Sequence, residues 1–352
     1  MALLSGRRAR RVTIKSIARE AGVSLTTVSR ALNDRPDIDS ATRERVLAVA
    51  HDLGYHPSSL ARSLVTQRTN TIGLAVRTLS DMWVVEIVPT IEEVARTAGY
   101  EVFVTTHYAD PDRERRVLDT FRSRQVDGML VISSTLGAAY PPFQDEWGMP
   151  IVLISPLVDT PHRSVVRNDD TEGARTATRY LAGLGHRRIG HVGVPTWARP
   201  GIERLDGYRQ GLAEAGLAAD QALVFVGDAS VASGLQGAET LLALDDPPTA
   251  FFCFSDLTAV GVLRGARSQG LRVPEDVSIM GFDDVPLARY IDPPLSTIRQ
   301  DMAGLGRRAT QMLLDAIAGT EPQESVELRP KLVVRGSCAP APGASRQAMG
   351  SA

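Results

Sequence analysis

At 352 residues the chain has room for two or three domains, and its 43% hydrophobic and 23% charged residues exclude a fibrous or unfolded chain. The formal net charge of −2 hides an asymmetry: residues 1–68 hold 12 Lys and Arg against 6 Asp and Glu, while the remainder holds 27 against 35. Two cysteines, Cys253 and Cys338, imply no disulfide framework. No apolar run approaches a membrane span, and MALLSGRRARR lacks the apolar core of a secretory signal. The expected location is therefore the cytoplasm, without a membrane partner.

Residues 1–12 read as a basic arm, with Arg7, Arg8, Arg10 and Arg11. Thr13 to Asn33, TIKSIAREAGVSLTTVSRALN, holds two short helical patterns broken at Gly22. Ile14, Ile17, Ala18 and Ala21 share one face of the first; Val28, Ala31 and Leu32 share one face of the second. Ser24 stands at the N-cap position of the second. Two short helices joined by a Gly turn make a helix-turn-helix. Thr26, Ser29, Arg30 and Asn33 line the outer face of the second helix. All four carry hydrogen-bonding groups, as expected of a helix lying in a DNA major groove. A basic head on an acidic body points the same way. A third helix is expected from Ala41 to Leu53, capped by Asp39 or Ser40, with Val46, Leu47, Ala50 and Leu53 closing a three-helix core. The helix-turn-helix domain thus spans 13–56.

Residues 57–69 form a linker. Pro57 suits a first helical turn, and Leu60, Ala61 and Leu64 lie along one side. The stretch has too few apolar groups to fold alone.

From Thr71 strands and helices alternate. Strands are expected at Ile72–Val76, Val102–Thr105, Met129–Ile132, Ile151–Ile154, Ile189–Val192, Val224–Val226, Ala250–Phe254, Val277–Met280 and Leu332–Val334. Helical patterns span Glu86–Ala98, Arg113–Phe121, Glu172–Leu184, Arg204–Ala215, Ala232–Leu244, Leu257–Gln269 and Gly304–Ala318. Such alternation means parallel sheets covered by helices, in one domain or two lobes. Ligands of these sheets bind beyond the carboxyl ends of strands. Asp81 and Trp83, Ser133 and Ser134, Arg204, Ser255 and Asp256, and Asp283 and Asp284 stand there. Carboxylates, hydroxyls, an arginine and an indole together suit a polyhydroxylated ligand. Asp256 doubles as a candidate N-cap. The tail from Ala339, rich in Pro, Ala, Gly and Ser, is expected to be disordered to residue 352.

Other chemistry is not supported. GLGRRA at Gly304–Ala309 matches a dinucleotide fingerprint only formally, since it follows no strand. The histidines are scattered without metal-ligand spacing. No nucleophile–base pair is present, so neither enzyme activity, a cofactor nor a metal is expected.

The stretch TIKSIAREAGVSLTTVSRALN resembles the signature of the lactose/galactose-repressor (LacI/GalR) family of bacterial transcription factors. The resemblance continues through HPSSLARSL, VDGMLVIS, LGHRRIGHVG, RLDGYRQGL, GLRVPEDVSIMGFDD and DPPLSTIRQ, covering roughly Thr13 to Ser337. It implies a helix-turn-helix head on a two-lobed body like a periplasmic binding protein, residues 70–338. The N-lobe would be about 70–168 plus 301–323, and the C-lobe about 169–300 plus 324–338. It implies homodimers, sometimes tetramers, on pseudo-palindromic operators. By matched position, Leu25, Thr26 and Arg30 read bases, Leu25 against a thymine methyl, while Ser24, Thr27, Ser29, Asn33 and Tyr55 hold phosphates. The linker becomes a hinge helix on DNA, with Leu64 entering the minor groove and Ala61 beside it. Effector positions map onto Asp81, Met82, Trp83, Ser133, Arg204, Phe252, Ser255 and Asp283. The effector implied is a sugar or sugar derivative, with a purine as the alternative through Trp83 and Phe252. Ser155, where several members carry Asp, and the unusual loop between Pro195 and Arg204 leave its identity open. A solute-binding protein and an enzyme of doubly wound fold are the competing classes. The basic head and the lack of a signal segment oppose the first; the lack of a catalytic constellation opposes the second.

Overall fold

The computed structural model describes residues 12–32, 35, 37–55, 68–320 and 325–342. The chain divides into two compact units at Thr69/Asn70.

In the first unit, α1 (Ile14–Ala21) and α2 (Leu25–Leu32) meet α3 (Ser40–Asp52). Gly22 ends α1 with a left-handed φ of 66°, a conformation that glycine adopts without steric cost. Ser24 then caps α2: its Oγ accepts from the Thr27 N–H at 3.1 Å. Asp39 caps α3 by accepting from the Thr42 N–H at 2.9 Å. Ile17, Ala18, Ala21, Val28, Ala31, Val46 and Ala50 form the core, with Leu53 and Tyr55 packed against it. Leu47, expected in this core, is 46% exposed, because it falls on the outer side of α3.

The second unit holds two six-stranded sheets. The first is built from β1 (Thr71–Val76), β2 (Glu101–Thr106), β3 (Gly128–Ile132), β4 (Ile151–Ile154) and β5 (Val165–Asn168), with α4 (Met82–Thr97), α5 (Pro111–Ser123) and α6 (Tyr140–Trp147) between strands. The chain then crosses to the second lobe: α7 (Asp170–Gly183), β6 (Ile189–Gly193), α8 (Arg199–Glu214), β7 (Val224–Val226), α9 (Val231–Leu242), β8 (Ala250–Cys253), α10 (Asp256–Ser268), β9 (Ser278–Asp283) and β10 (Ser296–Arg299). It returns through α11 (Met302–Ile317) to β11 (Val326–Leu328) in the first sheet, and crosses once more to β12 (Lys331–Val333) in the second. The strand orders are β11-β5-β4-β3-β1-β2 and β12-β10-β9-β8-β6-β7. Pairings are parallel except β12 against β10.

Strand alternation sorts the apolar side chains onto two faces of each sheet. Ile72, Leu74 and Val76 pack with Leu130 and Ile132 under α4 and α11, while Ala75, Met129 and Val131 face α5 and α6. In the second lobe Phe251 and Cys253 face α9 and α10, and Phe252 faces α7 and α8. The helix pair α7–α8 packs closely because Gly207 has no side chain: a Cβ there would overlap the Thr171 carbonyl oxygen.

Two boundaries differ from the sequence expectation. Residues Val326–Leu328 pair with β5, so the third crossing falls after Leu328 rather than at 324. The expected tail begins packed: the Ala339 N–H donates to Ser278 Oγ at 3.0 Å, the Ala341 N–H to the Leu184 carbonyl at 2.9 Å, and Ala341 is buried. Small apolar residues such as Ala341 fit a narrow seam, which their composition alone does not reveal.

Candidate functional site

The head carries its chemistry outward. Leu25 is 47% exposed, and Thr26 and Arg30 are exposed beside it. The Arg30 guanidinium rests 2.9 Å from the Asp37 carboxylate, both half exposed. An exposed pair of this kind contributes about 0–1 kcal/mol, so Arg30 is readily released to another acceptor. Ser24 and Thr27 are tied together, Oγ to Oγ1 at 2.8 Å. Ser29 is partly buried, and Tyr55 packs on the head core. Asn33, Ala61 and Leu64, like the basic arm and most of the linker, lie outside the described residues.

In the body, strand order reverses at β1/β3 and at β6/β8, where crevices open beyond the carboxyl ends. Three of the expected effector residues, Trp83, Arg204 and Asp283, meet there or nearby. Arg204 on α8 is buried, and its Nη2 lies 3.5 Å from Asp283 Oδ1, while its Nε donates to Asp170 Oδ2 at 3.3 Å. Its Nη1 donates to the Phe254 carbonyl. The guanidinium lies over two rings, 3.8 Å from the centroid of Phe282 and 4.4 Å from that of Phe254. Asp283 accepts from Gln300 Nε2 at 2.8 Å. Gln300 Oε1 in turn accepts from Trp83 Nε1 at 3.0 Å and from the Asn168 amide. Trp83 belongs to the first lobe and Arg204 and Asp283 to the second, so one hydrogen-bonded chain bridges the cleft.

Burial drives the Asp283 and Asp170 carboxyls above the ordinary range, against the opposing pull of Arg204. Burial likewise lifts Glu203, next to this group on α8, to about 7, with Arg199 opposing. Asp283 has φ 109° and Asp284 φ 57°, left-handed values that non-glycine residues rarely hold. This turn points Val285 into the core of the first lobe, where it is buried with Leu287 packed alongside. The lobes are joined again where the Arg199 N–H donates to the Leu157 carbonyl at 2.7 Å and the Leu157 N–H to the Ser134 carbonyl at 2.8 Å. Asp283 is thus both a link in the bridge between the lobes and the start of an inter-lobe wedge.

The remaining expected residues are placed differently. Asp81 caps α4, accepting from the Trp83 N–H at 3.0 Å, and pairs with Arg77. Met82 packs against the first-lobe core. Ser133 is buried at the end of β3 with φ 57°, in a loop braced by Glu114. That carboxylate, itself fully buried, accepts from the Thr135 N–H at 2.8 Å and Oγ1 at 2.7 Å. Ser255, not Asp256, caps α10, its Oγ accepting from the Thr258 N–H at 3.2 Å. Asp256 is buried and accepts from the Val285 N–H at 2.9 Å and Thr297 Oγ1 at 2.6 Å; burial lifts it to about 7.

Phe252 requires correction. It is fully buried, stacked 5.1 Å from His191 in the core under α7 and α8. Phe254, two residues on and just past the end of the strand, reaches Arg204 together with Phe282. The sequence reading also missed Asn168, Asp170 and Gln300. The signal is the polar run after a strand end, but β5 and β10 are four residues each and mix polar with apolar side chains, so they do not read as strands. Among the described residues no group of His, Cys, Asp or Glu is arranged to hold a metal ion, and no helix is long and apolar enough to cross a membrane.

Comparison with known proteins places this architecture. A family model described as bacterial regulatory proteins, lacI family, matches residues 13–58, and one described as a periplasmic binding protein-like domain matches residues 178–338. The HTH-type transcriptional repressor PurR of Aliivibrio salmonicida is 34% identical over 92% of this chain and 98% of its own. The chain belongs to the LacI family. The HTH-type transcriptional repressor CytR of Escherichia coli K12 is 35% identical over 92% of this LacI-family chain and 96% of its own. Among solved structures, a transcriptional regulator CelR–cellobiose complex shares 33% identity, covering 93% of this chain and all 100% of that one, with a TM-score of 0.70. The lac repressor dimer bound to operator and the anti-inducer ONPF shares 27% identity over 94% of this chain and 100% of that one, with a TM-score of 0.86. LacI-family proteins are DNA-binding regulators, not enzymes, and this one is a ligand-responsive transcriptional repressor that takes an operator and a small molecule as partners.

Proposed function

We propose that this repressor is switched by a sugar or sugar derivative held between Arg204, Asp283 and Trp83, and that it acts as a homodimer on a pseudo-palindromic operator in the cytoplasm. The observation that carries the reading is the bridge Trp83–Gln300–Asp283–Arg204, because a ligand inserted there must exchange partners with both lobes at once. Carboxylates accept from hydroxyls, the guanidinium donates, and an indole edge flanks them, which is the chemistry a polyol requires. The cellobiose complex of a 33% identical regulator supports the sugar class. A flat purine-type ring is the second reading, favoured by Trp83 and by Phe254 in place of Phe252.

The dimer is supported by the edge of the first sheet. Phe103 on β2 is 52% exposed and Val104 40%, an apolar edge strand of the kind soluble monomers avoid. In the head, Leu25, Thr26 and Arg30 read bases, and Ser24, Thr27, Ser29, Asn33 and Tyr55 hold phosphates. Leu64 wedges into the minor groove with Ala61 beside it, unstacking one step at a cost of a few kcal/mol. Thermal-shift screening against sugars and nucleobases, followed by operator titration with each hit, tests the reading: a hit should raise Tm and change operator affinity. A ligand that raises Tm and leaves operator affinity unchanged would contradict it. Leu64→Ser should abolish tight operator binding and spare effector affinity; equal loss of both would refute the hinge assignment.

A further inference from the structure

Asp284 follows Asp283 in the turn after β9 but takes none of its partners. Its carboxylate is fully buried among three guanidiniums: Oδ2 accepts from Arg299 Nε at 2.6 Å, Oδ1 accepts from Arg335 Nη2 at 2.5 Å, and Arg289 Nη2 lies 3.9 Å away. Arg299 is the last residue of β10, set opposite Asp283 on β9 and Lys331 on β12. Arg335 follows β12 and is fastened twice more, its Nη1 donating to the Leu295 carbonyl at 2.6 Å and its N–H to Ser296 Oγ at 2.8 Å. β10 leads out of the second lobe into α11, and β12 follows the return from β11. One carboxylate therefore ties the turn to two of the three segments that join the lobes.

The next residue is the wedge. The Val285 N–H donates to Asp256 Oδ2 in the second lobe at 2.9 Å. Asp256 reaches it because Gly281 has no side chain: a Cβ there would overlap Asp256 Oδ1. The Val285 side chain is buried in the first-lobe core, with Val84 and Ile87 of α4 and Met302 and Leu305 of α11. Asp283 and Asp284 hold left-handed φ values of 109° and 57°. Non-glycine residues keep such values only where surrounding contacts over-determine them, and the guanidiniums at Asp284 are contacts of that kind. Arg289 and Arg299 are 57% and 47% exposed and can turn to water, but Arg335 is 14% exposed and would be stranded without the carboxylate.

We propose that Asp284 is a positioning residue of the switch: it locks the wedge turn, β10 and the segment after β12 into one block, so that movement between the lobes reaches α4 and α11 through Val285. The chain from the head enters this same first lobe at β1. The proposal concerns how the lobes are coupled, and it holds whatever ligand fills the cleft.

Hydrogen exchange of the full-length protein, read by mass spectrometry on its peptides, tests this together with operator anisotropy. Asp284→Asn keeps the shape of the side chain and removes its charge. Exchange should rise about 10-fold or more in peptides covering 284–289, 296–301 and 331–336, and also in the first turns of α11. Peptides of β3 and β8, at the centres of the two sheets, should keep wild-type rates. Operator affinity should shift about 5-fold or more, although residue 284 lies outside the head. Val285→Ala shortens the wedge and leaves the arginine cluster in place. It should loosen the start of α11 and the facing part of α4 and shift operator affinity, with 331–336 at wild-type rates. Arg299→Gln gives the Asp284→Asn pattern at smaller size should that variant fold poorly. Loosening confined to the second lobe, with α11 and operator affinity at wild type, would make Asp284 a brace of its own lobe and overturn the proposal. Wild-type exchange in the first lobe of Val285→Ala would overturn it as well, since the wedge would then join nothing. Faster exchange in α11 with unchanged operator affinity would remove Asp284 from the switch.

Discussion

The head and the body carry their chemistry in opposite ways. The head places Leu25, Thr26 and Arg30 on one exposed face of one eight-residue helix, where each side chain is within a turn of the next. The body assembles its candidate site from α4, β5, α7, α8, β9 and the segment after β10, and buries it: Arg204, Asp283, Gln300 and Asn168 are all at or below 8% exposure. An exposed site loses little when one group is removed, because water replaces the partner. A buried site loses more, because each group left behind is stranded. The head is therefore tuned by small increments and the body by large ones.

The largest expected effect follows from that contrast. Arg204→Ala strands Asp170 and Asp283 in the cleft, and loss of a buried ionic partner costs about 3–5 kcal/mol. Chemical denaturation should show that loss, with effector binding gone. A variant of unchanged stability would mean the two carboxyls are protonated and do not need the guanidinium.

A pH effect of the next size belongs to His191. The ring is buried between Tyr208 and Phe252, each 5.1 Å away, and donates through Nδ1 to the Phe252 carbonyl at 3.0 Å. Burial lowers it to about 4 from 6.5. A depressed folded value means the folded state binds fewer protons, so its contribution is whole above pH 6.5 and is lost as pH falls towards 4. The loss is about 3 kcal/mol at most. His191→Phe should flatten this acid limb of the stability profile; an unaltered limb would assign it to other groups.

The head responds less. Arg30→Ala should weaken the operator by about 1–3 kcal/mol and relax preference at one base pair. A uniform loss across all sequences would make Arg30 a phosphate contact instead. Smallest is Asp37→Asn, which frees Arg30 from its exposed partner and should tighten DNA binding by about 1 kcal/mol or less. Weaker binding in that variant would show that Asp37 orients Arg30 rather than competing for it.

The same contrast explains what the sequence reveals. The helix-turn-helix is legible because its periodicity, its Ser24 cap and its Gly22 turn are all local. The central strands β1, β3, β4, β6, β8 and β9 are legible as apolar runs, since both of their faces are buried. β5, β10 and β11 are not: VVRN, STIR and VEL are short and mix polar with apolar residues, because they end at the crossings where the chain meets the cleft. Missing those strands hid Asn168, Asp170 and Gln300, whose contacts are made at a distance in sequence: Asp170 with Arg204 at a separation of 34, Asn168 with Gln300 at 132, and Gln300 with Trp83 at 217. Phe252 was misread for a related reason. Its strand face was right and its depth was wrong, and depth is set by the helices that cover the strand.

The proposed switch joins occupancy of the Arg204–Asp283 cleft to the grip of the Leu25–Arg30 helix on DNA. Linkage makes it reciprocal: the factor by which effector changes operator affinity must equal the factor by which operator changes effector affinity. Both should be measured on the full-length protein at one salt concentration, by operator anisotropy with and without saturating effector and by effector titration with and without saturating operator. The account predicts equal factors of about 5–150. An effector that binds the cleft with the same affinity whether or not operator is present would contradict it.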